Sequence, residues 1–367
     1  MDVTSLLELE ANLLEWVRHY CEKGGRLSIS LDLETDLIKT GILDSVAFIE
    51  LIDLVESRTG TSILDDPALE QLTSIATICG RVHNLTSTTV AKEVRHSSVI
   101  ESYSDHAAQY DSLRNLNSCW GQATAQALTT INLRPGDDLV VEVGCGTGMS
   151  LRQVVAKSFP GMRFIGIDPA VNMLARASEN LKSFANVTLK HGSFEELPID
   201  SHSADYLFSM FAFHWTTDLD RSVSELARVL KSNGTMDLVF TGRHTGREFV
   251  KETTPIFRKY MGVAELLKST GARQYLTKEE TEQLFRREFD SARLTVEESY
   301  QTYYDDLEGH WSWWVARASG HFNAIPLEMR ERCDEDIRQA IQSLSCDKGI
   351  PYTIHMLHVK IRGVPGW

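Results

Sequence analysis

Two hydrophobic rhythms divide the chain. Over the first 85 residues apolar positions recur at helical spacing, whereas beyond about residue 138 short β-rich apolar runs alternate with helical stretches. Leu6, Leu7, Leu13, Leu14 and Val17 predict a first helix through about Tyr20, stopped by Gly24-Gly25. After a loop to Asp44, the positions Val46, Phe48, Ile49, Ile52, Leu54 and Val55 predict a second helix ending near Thr59-Gly60. Asp65-Asp66-Pro67 marks a loop, and Leu72 to Val82 a last short helix, so this part reads as a small all-α bundle. Residues 86–98 lose all periodicity and read as a linker. Strands are then predicted at Leu139–Val143, Phe164–Ile167, Val187–Lys190, Tyr206–Met210 and Met236–Phe240. Helices are predicted between them over about 150–157 and 171–181. Alternation of this kind implies an α/β domain with a parallel sheet and crossover helices.

Composition narrows the functional classes. At 367 residues the chain is long for one core, and 42% hydrophobic with 24% charged residues is a globular balance. The net charge is −14; residues 1–85 hold 15 acids and 6 bases, −9 of that total, leaving −5 for the rest. Such acidity argues against a nucleic-acid partner and favours docking of the small domain on basic protein surfaces. No apolar run approaches a membrane span and no basic leader precedes an apolar stretch, so a cytoplasmic location without membrane attachment is expected. The six cysteines show neither metal-ligand spacing nor a disulfide framework, and no metal is expected.

Gly41-Ile42-Leu43-Asp44-Ser45-Val46 opens the second predicted helix. This segment resembles acyl and peptidyl carrier proteins, in which an Asp-Ser pair carries the prosthetic arm, with Val46 where Leu is commoner. The resemblance implies a four-helix carrier bundle over residues 1–85, with 4′-phosphopantetheine attached covalently to Ser45. It also implies two kinds of partner: a phosphopantetheinyl transferase, and acyl-loading or downstream assembly-line enzymes. From the residues themselves, a serine at a helix start is exposed and is a favourable N-cap. Glu50, Asp53 and Glu56, three apart along the helix, are expected to form an acidic docking face.

In the larger part, Val140-Val-Glu142-Val-Gly144-Cys145-Gly146-Thr-Gly148 is a strand entering a glycine turn that opens a helix. A dinucleotide fingerprint would need glycine where Met149 stands, and a nucleotide P-loop would need Gly-Lys-Ser/Thr; neither is present. The turn resembles motif I of class I S-adenosylmethionine methyltransferases, whose Rossmann-like domain is then expected over residues 99–367, with a helical substrate cap. On that resemblance Glu142, Gly144, Cys145, Gly146 and Gly148 surround the amino-acid portion of the cofactor. Asp168, followed by Pro169, takes the ribose hydroxyls; Met173, Ser193 and Phe194 flank adenine, with Ser193 where Asp is usual. Met210, in Ala204–Met210, faces the transferring methyl, and Tyr110 belongs to an entry helix over Tyr103–Asp111. Leu226–Gly234 resembles the helix and turn that follow.

Phe211–Trp215 and Trp311–Arg317 are most similar to the branch that holds trans-aconitate methyltransferase and the malonyl-carrier-protein carboxyl methyltransferase. That likeness implies a small acyl substrate and favours carboxyl O-methylation. A carboxylate is already nucleophilic and needs only alignment, with Arg317 as a clamp. A hydroxyl or α-carbon acceptor needs a base, for which His214 is the first candidate and His310 the second. Tyr303, Tyr304, Trp311, Trp313 and Trp314 are expected in the core or lid of the helical cap. Pro351–Val359 is expected as a final antiparallel edge strand. The expected activity is methylation, in polyketide, nonribosomal-peptide or fatty-acid-like biosynthesis, of an acyl or aminoacyl group on the chain's own carrier. Methylation of a free small molecule and a noncatalytic carrier or docking role are the alternatives.

Overall fold

The computed structural model describes residues 3–23, 31–59, 63, 71–84, 100, 112, 116–270, 274–317 and 319–362. The chain divides into two compact units interleaved along the sequence. One comprises Met1–Arg95, Lys251–Ala272 and Gly320–Ile337; the other comprises His96–Val250, Arg273–Ser319 and Arg338–Trp367.

In the first unit α1 (Val3–Lys23), α2 (Ser45–Thr59) and α3 (Ile75–Asn84) share one apolar core. The buried stripe of α1 is Leu9, Leu13, Val17 and Cys21, a repeat of four that keeps one helix face inward. Leu7, counted in the stripe from sequence, is 60% exposed. The loop before α2 adds Leu37, Ile42 and Leu43 to the core and is tied to the approach to α3 by Leu37 N–Thr73 O (2.8 Å) and Ala76 N–Leu33 O (2.9 Å). A helix between α2 and α3, needed for a four-helix bundle, would fall largely outside the described residues.

The start of α2 corrects the expected cap. Ser45 is the first helical residue, and the capping side chain is that of Asp44, whose Oδ1 accepts from Ala47 N at 2.8 Å. The acidic face is corrected too. Both carboxylate oxygens of Glu50 are buried, and Glu56 Oε1 accepts from Ile63 N at 2.6 Å. The side chain of Asp53 lies outside the described residues.

The second unit is built on a seven-stranded sheet of order β3-β2-β1-β4-β5-β7-β6. Its strands are β1 (Leu139–Val143), β2 (Arg163–Asp168), β3 (Val187–His191), β4 (Ala204–Met210), β5 (Leu230–Thr241), β6 (Leu294–Asp305) and β7 (Ile350–Ile361). β1 to β5 pair in parallel, while β7 runs antiparallel between β5 and β6. Helices α4 (Cys119–Ala127), α5 (Met149–Val155), α6 (Val171–Leu181) and α7 (Leu219–Val229) belong to the parallel half. The expected Rossmann-like α/β architecture is therefore present.

Three local expectations change. Residues 351–359 do form an antiparallel strand, but the edge is β6, whose mostly exposed positions carry too weak an alternation to be read from sequence. Tyr303 and Tyr304 sit on β6 rather than in a helix, while Trp311, Trp313 and Trp314 belong to α8 (Leu307–Arg317). The turn expected at the end of 226–234 is an irregularity inside β5. Ala204 pairs with Leu230 but Tyr206 with Thr235, so the intervening β5 residues loop out of register.

Asp237, fully buried on β5, ties the sheet together. It accepts from Tyr206 Oη on β4 (2.5 Å) and Arg362 Nη1 (2.8 Å), and pairs with His358 Nε2 on β7 (2.7 Å). Burial opposes its charge, but His358, Arg362 and Tyr206 together hold the carboxyl below its usual range. Among the described residues no helix is long and apolar enough to cross a membrane.

Candidate functional site

Strand order reverses between β1 and β4, and a cavity of about 240 Å³ opens there, lined by residues at and beyond the C-terminal ends of both strands. Open α/β sheets bind ligands in this crevice. The glycine turn after β1 forms part of its wall. Gly144 lies at φ +73°, and a Cβ there would come within 2.2 Å of the Ala212 Cβ, so only glycine lets the β1 and β4 loops approach. Gly148, at φ +76°, does not line the cavity. Its missing Cβ instead makes room for Leu181 and Ala177 of α6.

Asp168, at the end of β2, is held by two backbone amides, Gly146 N on Oδ2 (2.8 Å) and Ala170 N on Oδ1 (2.9 Å). Burial nevertheless dominates and raises its carboxyl from 3.8 to about 6. Glu142 is the anomaly of β1, a 1% exposed carboxyl in an otherwise apolar central strand. Burial first, then the neighbouring Asp168, pushes its pKa well above the usual value, and its Oε2 has no hydrogen-bond partner. A buried polar atom facing a ligand cavity without a partner is a marker of a binding site.

Glu195 behaves oppositely. Burial raises its pKa, but the Thr216 hydroxyl (2.6 Å) and Thr217 amide (2.7 Å), with Ser193, bring it down to about 2. This clamp joins the loop after β3 to the segment after β4 and fixes that side of the cavity.

Of the residues expected from sequence, the structure brings Glu142, Gly144, Cys145, Gly146, Asp168, Pro169, Met173, Ser193, Phe194 and Met210 together around this one cavity. His214 is not brought there. It is buried in the 3₁₀ turn Phe213–Trp215 with its carbonyl accepting from Gln274 N at 2.8 Å, and is not among the lining residues, although Trp215 and Thr216 are. His310 is also buried away from the lining, with Nε2 bonded to the Ile350 carbonyl at 2.8 Å. Tyr110 and the Arg317 side chain lie outside the described residues.

Sequence reading missed the contribution of α4, from which Trp120, Gly121 and Thr124 line the cavity, and that of Phe211. The available signal was Ser118 before a Trp120, Ala123, Ala127 stripe: Ser118 caps α4, accepting from Gly121 N at 3.4 Å, and these three residues are buried. Among the described residues no cluster of His, Cys, Asp or Glu could hold a metal ion.

A family model described as "Methyltransferase domain" matches residues 141–237, a segment that runs from β1 into β5 and includes the glycine turn, Asp168 and Met210. Residues 141–237 are a methyltransferase domain. The malonyl-[acyl-carrier protein] O-methyltransferase of Methylococcus capsulatus is 30% identical over 144 residues, 39% of this chain and 51% of that protein. The biotin biosynthesis bifunctional protein BioHC of Cellvibrio japonicus is 31% identical over 146 residues, 40% of this chain and 28% of that one. The ubiquinone/menaquinone biosynthesis C-methyltransferase UbiE of Campylobacter jejuni is 27% identical over 162 residues, 41% of this chain and 67% of that protein. The chain thus spans about half of the length of the first of these relatives and 28% of the second.

The methyltransferase domain has residues that fit S-adenosylmethionine. The Gly144–Thr147 stretch of the turn would lie along its amino-acid portion, Asp168 would accept from its ribose hydroxyls, and the unpartnered Glu142 oxygen is a buried polar atom in the same wall.

Proposed function

We propose that the protein transfers a methyl group from S-adenosylmethionine to an acyl or aminoacyl group held as a thioester on 4′-phosphopantetheine at its own Ser45. The observation that carries the methyl-transfer half is the convergence of the glycine turn, Asp168 and the unpartnered Glu142 carboxyl oxygen on one cavity at the β1/β4 crevice. When bound, the cofactor supplies an electrophilic methyl on a sulfonium. The chain's own contribution is positioning: Gly144 permits the close approach of the β1 and β4 loops, Asp168 orients the ribose, and Glu195 rigidifies the wall through Thr216 and Thr217. Alignment in a site shielded from water is the main requirement for such a transfer.

The carrier half rests on residues 1–85, with a linker at 86–98. Its support is the apolar core shared by α1, α2 and α3, and the placement of Ser45 at the first turn of α2 directly after the capping Asp44. Fusion would raise the effective concentration of the tethered acyl group at the methyltransferase domain. Partners of this reading are a phosphopantetheinyl transferase and enzymes that load or unload the arm, in an assembly-line pathway of polyketide, nonribosomal-peptide or fatty-acid type. Carboxyl O-methylation remains the first candidate reaction, by analogy with the O-methyltransferase activity named for the Methylococcus relative. The C-methyltransferase name of the Campylobacter relative makes carbon the second.

Intact mass spectrometry tests both halves. The purified chain is incubated with coenzyme A, a broad-range phosphopantetheinyl transferase and a panel of acyl groups, then with S-adenosylmethionine. A phosphopantetheine increment lost in Ser45→Ala, followed by a methyl increment on the loaded arm, is expected. Methylation of free acids that is indifferent to Ser45→Ala, with no methyl on any loaded arm, would overturn the tethered mechanism.

A further inference from the structure

The lining of the cavity is aromatic at the end of β4. Trp120 and Phe211 both line it, and their rings meet edge to face, centroids 5.8 Å apart and planes at 83°. Neither ring is loosely held. Trp120 is only 5% exposed and is also packed by Trp313 (5.9 Å, 77°) and Tyr352 (6.0 Å). Phe211 sits at φ +55°, in the left-handed region that a side-chain-bearing residue adopts at a cost of about 1–2 kcal/mol, and its amide donates to the Val239 carbonyl at 2.7 Å. Backbone strain retained at a ligand cavity points to a geometry that function uses. Next to Trp120 on α4, Gly121 and Thr124 are small, so the indole is the large ring that this helix presents to the cavity.

Two perpendicular aromatic walls suit one kind of guest. A planar conjugated group can stack on one ring and direct its electropositive edge at the face of the other, whereas a puckered saturated group does neither. We propose that Trp120 and Phe211 form the acceptor platform, and that the acyl group methylated here is planar and conjugated, an aroyl or enoyl group rather than a saturated chain. The inference rests on the cavity being the methyl-transfer site.

Calorimetry on the full chain, saturated with S-adenosylhomocysteine, tests it with two probes of equal carbon count: the N-acetylcysteamine thioesters of benzoate and of cyclohexanecarboxylate. The benzoyl probe is expected to bind about fivefold more tightly, the ratio that ring stacking of this kind confers. Trp120→Leu should reduce that ratio below about twofold and Trp120→Phe should retain it, each measured at saturating S-adenosylhomocysteine. Phe211→Leu gives a second arm, in which the ratio should also fall. Equal binding of the probes by the wild-type chain, or a preference that survives Trp120→Leu, overturns the platform while leaving the methyl-transfer reading intact. Failure of the wild-type chain to bind S-adenosylhomocysteine overturns both.

Discussion

Cofactor affinity should rise with pH through the titration of Asp168. Its carboxyl is raised to about 6, chiefly by burial, so at neutral pH most of the population is ionised and near pH 5 most is protonated. The ribose hydroxyls donate, and the ionised carboxylate is the better double acceptor. If only that form binds well, the competent fraction is about 0.9 at pH 7 and about 0.1 at pH 5, roughly a tenfold difference in apparent affinity. The stability sign is opposite. A carboxyl whose folded pKa lies above its unfolded value stabilises the fold, relative to neutral pH, where it is protonated, and that stability is lost as pH rises from about 4 through 6. The loss is on the order of 2–3 kcal/mol by pH 7. Asp168→Asn should therefore stabilise the ligand-free chain at pH 7 by part of that amount while weakening cofactor binding. Calorimetric titration of S-adenosylmethionine at pH 5, 6 and 7, with circular dichroism confirming the fold at each, measures the effect. An affinity that is flat or falls with rising pH, or a pH dependence that persists in Asp168→Asn, would refute the assignment of the ribose to this carboxyl.

Two further outcomes follow from the cavity wall. Gly144→Ala should lower the melting temperature and abolish cofactor binding. The new Cβ adds left-handed strain of about 1–2 kcal/mol to a clash with Ala212, and a variant that binds normally by calorimetry would contradict the close approach. Glu195→Gln should cost about 2–3 kcal/mol at neutral pH. The folded carboxyl lies near 2 against a usual 4.5, so its stabilisation is present above about 4.5 and disappears as pH falls towards 2. Urea melts at pH 7 and pH 3 read this directly, with the difference between wild type and variant expected to shrink at the lower pH.

What the sequence determined by itself was the local, periodic part of the molecule. β1, its glycine turn, β2 and α6 stand where the apolar runs and the 3.6-residue period put them, because each is specified by neighbours within a dozen residues. The cavity residues from Glu142 to Met210 were legible through the resemblance of their segments to methyltransferase motifs, and parallel topology gathers the strand ends that carry most of them at one crevice. Tertiary structure alone decided the rest. Leu7 faces solvent because the packing of α1 selects the Leu9-Leu13-Val17-Cys21 face over its neighbour, a choice that depends on α2 and α3. His214 has suitable chemistry and is one residue from the lining, yet the 3₁₀ turn buries it elsewhere, since rotation about a turn is invisible to spacing. Trp120 and Phe211 are some 90 positions apart in sequence, and nothing local couples them. Only the folding of α4 against the end of β4 brings their rings to 5.8 Å, because contacts between distant segments are set by the packing of whole elements rather than by residue order.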